Sequence, residues 1–303
     1  MVTFKQFLGE KEQIKSEEFA LARTIQWCEK YASGFLAQGF PIYRAMKQTV
    51  DYGYLDSNEF TRESANAVNY YNLWMSEDSS WSDFPKRSKS HIATTRADSA
   101  DGYPGNIYLM IPADTDKIGI CKKSDLWYSC EPFLKAAEFG SGSLSNYVEL
   151  LQKMFETIGR TTEVFSGPDV DQAEKSYEGL VKILKACTEQ VIARTLKKIQ
   201  TEGGDESLFL RRHLDFMHRT LNALHDTSSN SLYTLFSNYL TPEKNKFEWT
   251  FARNFDIDEN LDQEVWIQGG AAIIRLSTIQ ATSDGTNPEL RDFMQKYFKR
   301  KVL

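Results

Sequence analysis

Long apolar runs are missing from this chain of 303 residues. No stretch approaches the roughly 18 uncharged apolar residues that a membrane-spanning helix needs. Cysteine is scarce: Cys28, Cys121, Cys130 and Cys187 are the only four, and none falls in a C-x-x-C pair. That argues against both a disulfide scaffold and a zinc cage. Basic charge is not in excess either. Lys and Arg number 36 against 42 Asp and Glu, a net charge of −6, which disfavours a general polyanion binder. Met1 to Glu10 carry no apolar block, so no secretory signal is expected. What is present is 41% hydrophobic and 13% aromatic residues, enough for a substantial core and too much for a disordered chain. The sequence reads as a soluble, intracellular, globular protein.

Periodicity divides the chain. Residues from about Phe4 to Gln38 read as helix, ended by Gly34, Gly39 and Pro41. Phe40–Met46 reads as a strand carrying one arginine, Arg44. A helical pattern spans Asp56 to Met75, followed by a polar loop with Trp81 and Phe84. Ser90–Thr95, Asn106–Ile111 and Lys117–Cys121 read as strands separated by turn residues. The texture then changes. Residues 144–158, 170–201 and 206–240 are helical in pattern, and in the second Leu180, Leu184, Cys187, Val191 and Thr195 form one apolar stripe. Strand character returns at Phe247–Arg253, Glu264–Ile267 and Ala271–Leu276, and Pro288 opens a last, basic helix. The expected class is α+β. It has an N-terminal helical segment (1–39), a discontinuous core (40–130 and 247–283), a helical insertion (131–246) and a C-terminal helix (284–303).

Several local patterns carry little chemistry. Gly140-Ser141-Gly142-Ser143 precedes a helix but lacks the Gly-Lys-Ser/Thr ending of a P-loop, and reads as a junction. His213, His218 and His225 are spaced by five and seven, not by the four of a helical zinc pair. Asp125-Leu126-Trp127 could form a site loop, but reads rather as a capped turn with a buried indole. The Lys296–Lys301 run reads as a solvated terminal helix. No Gly-x-Ser-x-Gly elbow announces a nucleophile.

A distributed pattern says more. Arg44 lies within a strand, Ile92-Ala93-Thr94-Thr95 ends another in two hydroxyls, and Asp262-Gln263-Glu264-Val265-Trp266-Ile267 runs into Gly269-Gly270 and an apolar strand. In this order the motifs resemble those of the mono-ADP-ribosyltransferases of the arginine–serine–glutamate class, found among bacterial toxins and phage enzymes. The resemblance covers roughly residues 40–125 and 250–280. It implies a split-sheet core binding NAD as substrate, with no metal, and transfer of ADP-ribose to a macromolecular acceptor, protein or nucleic acid, with release of nicotinamide. It further implies a cytoplasmic setting, the host's if the protein is phage-encoded. Carried over, Glu264 is the catalytic glutamate, Asp262 its companion towards the acceptor, and Arg44 the residue at the phosphate and ribose. Thr94, with Thr95, or alternatively Ser90, takes the place of the family's serines, and Trp81 is a candidate for stacking on a ring of NAD. Asp262 stands where the family has Glu or Gln. The chemistry is coherent: oxocarbenium character develops when the nicotinamide–ribose bond breaks, and a carboxylate stabilises it. Two other readings remain: a non-catalytic interaction protein that uses the helical block, and an NAD glycohydrolase on the same core.

Overall fold

A computed structural model describes residues 17–59, 61–62, 68–137, 144–202, 208–223, 230–258, 261–282 and 287–298. The architecture is α+β. The chain forms two compact units, one built from the segments up to Asn66, Asp83–Leu126 and Phe247 onwards, the other from Ala67–Ser82 and Trp127–Lys246. The stretch 67–82 thus groups with the helical unit, although the sequence reading set it in the β-rich core.

The first unit holds a nine-stranded sheet among the described residues. Its strands are β1 (Glu17–Glu18), β2 (Ile42–Met46), β3 (Tyr52–Asp56), β4 (His91–Thr94), β5 (Asn106–Pro112), β6 (Lys117–Ile120), β7 (Glu248–Phe251), β8 (Glu264–Gln268) and β9 (Gly270–Arg275). In space they run β1-β3-β9-β5-β2-β4-β8-β6-β7, every neighbouring pair antiparallel. The sheet has a seam. β2 pairs with β5 over five residues and β4 with β8 over four, yet β2 and β4 share only Tyr43 opposite Thr94. Five strands lie on one side of that seam and four on the other.

Two of the places where the chain crosses from one half to the other are adjacent. One is Gly269, between β8 and β9, with φ of 135°, a backbone region that favours glycine. The other is the β5–β6 connection, where Ala113 N–H donates to the Gly270 carbonyl (3.1 Å). The Asp116 carboxylate lies between them, accepting from Ala113 N–H at 3.0 Å and from the backbone of Gly270. The core is apolar on both sides of the inner strands: Leu109, Met110, Ile111, Ala271, Ala272, Ile273 and Ile274 are fully buried. This explains their unbroken apolar runs. Helices Leu21–Tyr31 and Ser33–Gln38 add Cys28, Phe35 and Leu36 to this core.

Local differences from the sequence reading have clear causes. Residues 4–16 of the expected N-terminal helix lie outside the described residues, and the remainder holds the short strand β1 and two helices. The helix expected from Asp56 begins only at Tyr70, because Asp56 closes β3, which pairs along β9, and Phe60 lies outside the described residues.

The second unit is all-helical among the described residues. Helix Leu144–Thr162 buries Tyr147, Val148, Leu151, Met154, Phe155 and Ile158, at spacings of three and four. The single stripe expected over 180–195 is divided between helices Tyr177–Ala186 and Glu189–Glu202. The break comes from tertiary pairing: Leu232 N–H donates to the Cys187 carbonyl, and Glu189 N–H to Asn230. The orphan carbonyl of Leu240, just past helix Leu232–Tyr239, accepts from both Trp74 Nε1 (3.2 Å) and Trp81 Nε1 (3.0 Å). Gly140–Ser143, Gly203–Ser207, His225 and the end of the basic tail lie outside the described residues.

Two outcomes follow for stability. A Cβ at Gly119 would collide with the buried Trp266 indole, so Gly119→Ala is expected to cost about 1–3 kcal/mol, read from urea midpoints. Burial, reinforced by Asp56, raises the Asp116 carboxyl from its usual range to about 7. The folded state therefore holds a proton there that the unfolded chain has lost, and stability should fall as pH rises from about 4 to about 7 and then level. Asp116→Asn should flatten that slope in a series of urea melts.

Candidate functional site

β8 presents alternate residues Glu264, Trp266 and Gln268 to one face, and the segment Pro85–Arg87 is fastened to all three. Lys86 N–H donates to Gln268 Oε1 (2.8 Å), Trp266 Nε1 donates to the Pro85 carbonyl (2.9 Å), and Arg87 Nη2 lies 2.7 Å from Glu264 Oε1. The Arg87 guanidinium also faces the Trp266 ring, 5.6 Å from its centroid. Arg87 and Glu264 are 3% and 6% exposed, so each charge has exchanged water for the other. The second carboxylate oxygen of Glu264 accepts Leu126 N–H at 3.1 Å. Its backbone joins the same loop: Glu264 N–H donates to Lys123 and Cys121 N–H to Glu264. The Asp125-Leu126 segment thus meets the Glu264 carboxylate through Leu126 N–H, and Trp127 is buried as its sequence reading expects.

Other charges gather here. The Tyr103 hydroxyl is held well above its usual range by burial, then by the nearby Glu264 and Asp125 carboxylates, with Arg62 and Arg87 opposing them. Arg62 and Asp125 are themselves buried. Two guanidiniums, two carboxylates and a phenol therefore share one neighbourhood.

The hydroxyl motif bonds the segment that leads into β8. Thr94 lies opposite Glu264 in the β4–β8 ladder, but its Oγ1 donates to Asp262 Oδ1 (3.0 Å), and Ser99 Oγ donates to Asp262 Oδ2. Thr95 Oγ1 accepts Gln263 N–H (3.0 Å) and donates to the Leu261 carbonyl (3.2 Å). Together they clasp the approach to β8. Ser90 is fully buried and donates to the Lys86 carbonyl (2.7 Å), fixing the turn that presents Arg87. Arg44 is also buried. Its Nη1 donates to the Ile92 carbonyl at 2.5 Å, supplying a donor beside the seam where β2 and β4 form no ladder. Trp81 belongs to the helical unit, packed there with its indole N–H on Leu240.

At the same end of the seam an open cleft of about 290 Å³ is lined by Phe40, Tyr43, Thr95, Arg96, Asp98 and Leu261, among others. Tyr43 is pushed up to about 12 by burial and by Asp98. Arg96 and Asp98 form an exposed pair, 3.6 Å apart, at this cleft. Among the described residues no group of His, Cys, Asp and Glu could hold a metal ion, and no helix is long and apolar enough to cross a membrane. His213 is buried against Tyr147 and depressed to about 4 by desolvation, and His218 pairs with Glu189.

Comparison with protein-family models, with curated proteins and with solved structures finds no match for the chain.

Removing one partner of a buried pair strands the other. Arg87→Met is expected to lower stability by about 3–5 kcal/mol in urea unfolding, and the double change with Glu264→Met to recover most of that loss.

Proposed function

We propose that the β-rich unit is an NAD-dependent ADP-ribosyltransferase that passes ADP-ribose to a macromolecular acceptor and releases nicotinamide. The observation that carries this reading is the strand order. β2, β4 and β8 are consecutive, Tyr43, Thr94 and Glu264 form one cross-strand row, and Arg44 is the residue after Tyr43. Three motifs distant in sequence thus meet at one end of the seam. The neighbouring cleft supports the reading in part. Its volume, about 290 Å³, is at the lower bound of ordinary ligand sites and suits one ring and its sugar better than a whole dinucleotide. Phe40 and Tyr43 offer faces to a planar ring, and Arg96 a charge to a phosphate.

In this reading the C1′–N bond to nicotinamide breaks with its electron pair leaving on nicotinamide. Glu264 stabilises the cationic sugar, and the acceptor's nucleophile bonds to C1′ as it loses a proton. Thr94, Thr95 and Asp262 act on the strand that bears Glu264, and Arg44 stands beside the dinucleotide's phosphates.

One observation favours a second reading. Both oxygens of Glu264 have protein partners, and Arg44 bonds a backbone carbonyl, as they would in a purely structural role. The β-rich unit would then be a scaffold and the helical unit a docking module. NAD separates the two. At about a hundred times its dissociation constant it should add about 2.7 kcal/mol of stability to a transferase. Glu264→Gln should keep most of that thermal shift while losing transfer of labelled ADP-ribose by about a hundredfold or more. Absence of any shift at millimolar NAD would favour the scaffold, and nicotinamide release without a labelled acceptor would indicate a glycohydrolase.

A further inference from the structure

We propose that the open cleft beside the seam is a site for an adenine nucleotide, with Asp98 and Tyr43 reading the base and Arg96 holding a phosphate. The site is argued from the cleft's own groups and does not need the transferase reading. Under that reading it adds which end of the dinucleotide lies here.

Four observations carry it. First, the cleft is open and belongs to the β-rich unit alone, its lining drawn from residues 40–43, 95–98 and 257–261. Its volume of about 290 Å³ admits one ring, a sugar and little more. Second, its lining suits a planar ring: Phe40 and Tyr43 are aromatic, and Ile257 and Leu261 add apolar surface. Third, Tyr43 is 4% exposed, yet its hydroxyl has no hydrogen-bond partner among the described residues. A buried hydroxyl is costly to leave so, and this one borders a cavity that a ligand can enter. Burial, then the nearby Asp98 carboxylate, pushes Tyr43 up to about 12, so the hydroxyl keeps its proton as a neutral donor. Fourth, the charges at the cleft are available. Arg96 and Asp98 pair only with each other among the described residues, at 3.6 Å and with side chains 49% and 89% exposed. Such a pair contributes little and opens readily.

An adenine nucleotide answers each of these groups. The amino group of the base donates to a carboxylate, its ring nitrogens accept from a hydroxyl, and its faces stack on aromatic rings. The phosphate takes a guanidinium. Guanine and hypoxanthine set an oxo group where adenine has its amine, and a carboxylate repels it. A bare phosphate would use Arg96 alone and meet Asp98 as a like charge. Glu264 is not among the lining residues, so a ring in this cleft lies away from the carboxylate that the reading above assigns to the breaking bond. Under that reading the nicotinamide end therefore goes to Glu264 and the adenine end to the cleft.

Adenosine monophosphate and inosine monophosphate are the probes, titrated calorimetrically into the full chain. Wild type should bind the adenine nucleotide about tenfold more tightly than the hypoxanthine one. Asp98→Asn, whose amide can turn to donate to the oxo group, should bring the two within about twofold. Tyr43→Phe should weaken the adenine nucleotide about three- to tenfold. Arg96→Gln should weaken both nucleotides alike and remove the advantage of adenosine monophosphate over adenosine. Equal affinity of the two nucleotides for wild type overturns the site, as does a preference that persists in Asp98→Asn. So does a wild-type protein that shows no thermal shift with about 10 mM adenosine monophosphate. If the order holds while NAD is not turned over, the cleft stands and the transferase falls. NAD turnover with no preference between the two nucleotides does the reverse.

Discussion

A carboxylate and a guanidinium that are both out of water hold each other, and in the β-rich unit that pairing joins three segments. Glu264 opens β8, Arg87 lies on the turn ahead of β4, and Leu126 closes the loop after β6. Taking both ions from water is expensive, and their attraction repays it only when the remaining polar atoms are also satisfied. Leu126 N–H supplies one such bond, and the Trp266 face supplies a favourable surface under the cation. Apolar residues of similar volume could hold the same segments together about as well. The charges therefore add something that packing alone does not require: a pairing that only these two side chains, in this register, complete.

The seam in the sheet follows a related logic. Where β2 and β4 part, the Ile92 carbonyl has no ladder donor from β2 and needs another. Arg44 answers it with Nη1. The crossings at Gly269 and at 113–116 let the chain change halves without a long loop, and Asp116 binds the two crossings together. Thr94 and Thr95 then join the end of β4 to residues 261–263 by side-chain bonds. The open end of the seam is thus lined by hydrogen-bonding groups with settled partners, and the charged cluster lies next to it.

What could be read from the sequence was what depends on near neighbours in the chain. β4, β5, β6, β8 and β9 are short apolar runs between turn residues, and their runs are legible because the strands are buried on one or both faces. β3 was not legible: Tyr52-Gly53-Tyr54-Leu55-Asp56 is weakly alternating, and only pairing with β9 makes it a strand. The stripe over 180–195 is buried throughout, but its helix is interrupted at 187–188 by pairing with residues 230–232 from far along the chain. Of the site, Glu264, Asp262, Thr94 and Thr95 were legible as a motif, though not their bonds. Arg62, Arg87 and Tyr103 were not. Lys86-Arg87-Ser88-Lys89 offers three cations that look alike in sequence, and which of them is buried is decided by Trp266 and Glu264, some 180 positions away. The faint signal was a basic run beside an aromatic, Phe84, and facing a strand of glutamate, tryptophan and glutamine.

The two carboxylates that the motif sets two positions apart end in different chemical company, and that difference bears on what each can do. Asp262 is held by neutral hydroxyls, those of Thr94 and Ser99. Such bonds orient a carboxylate without cancelling its field, and they need no exchange to persist. Glu264 is held by a cation, which cancels its field at short range. A positively charged centre next to Glu264 gains little while Arg87 is paired with it. Of the two, Glu264 is therefore the carboxylate whose field a neighbouring side chain offsets. Asp262, tied to β4 and to the helix that follows it, is a fixed support for the strand that carries Glu264.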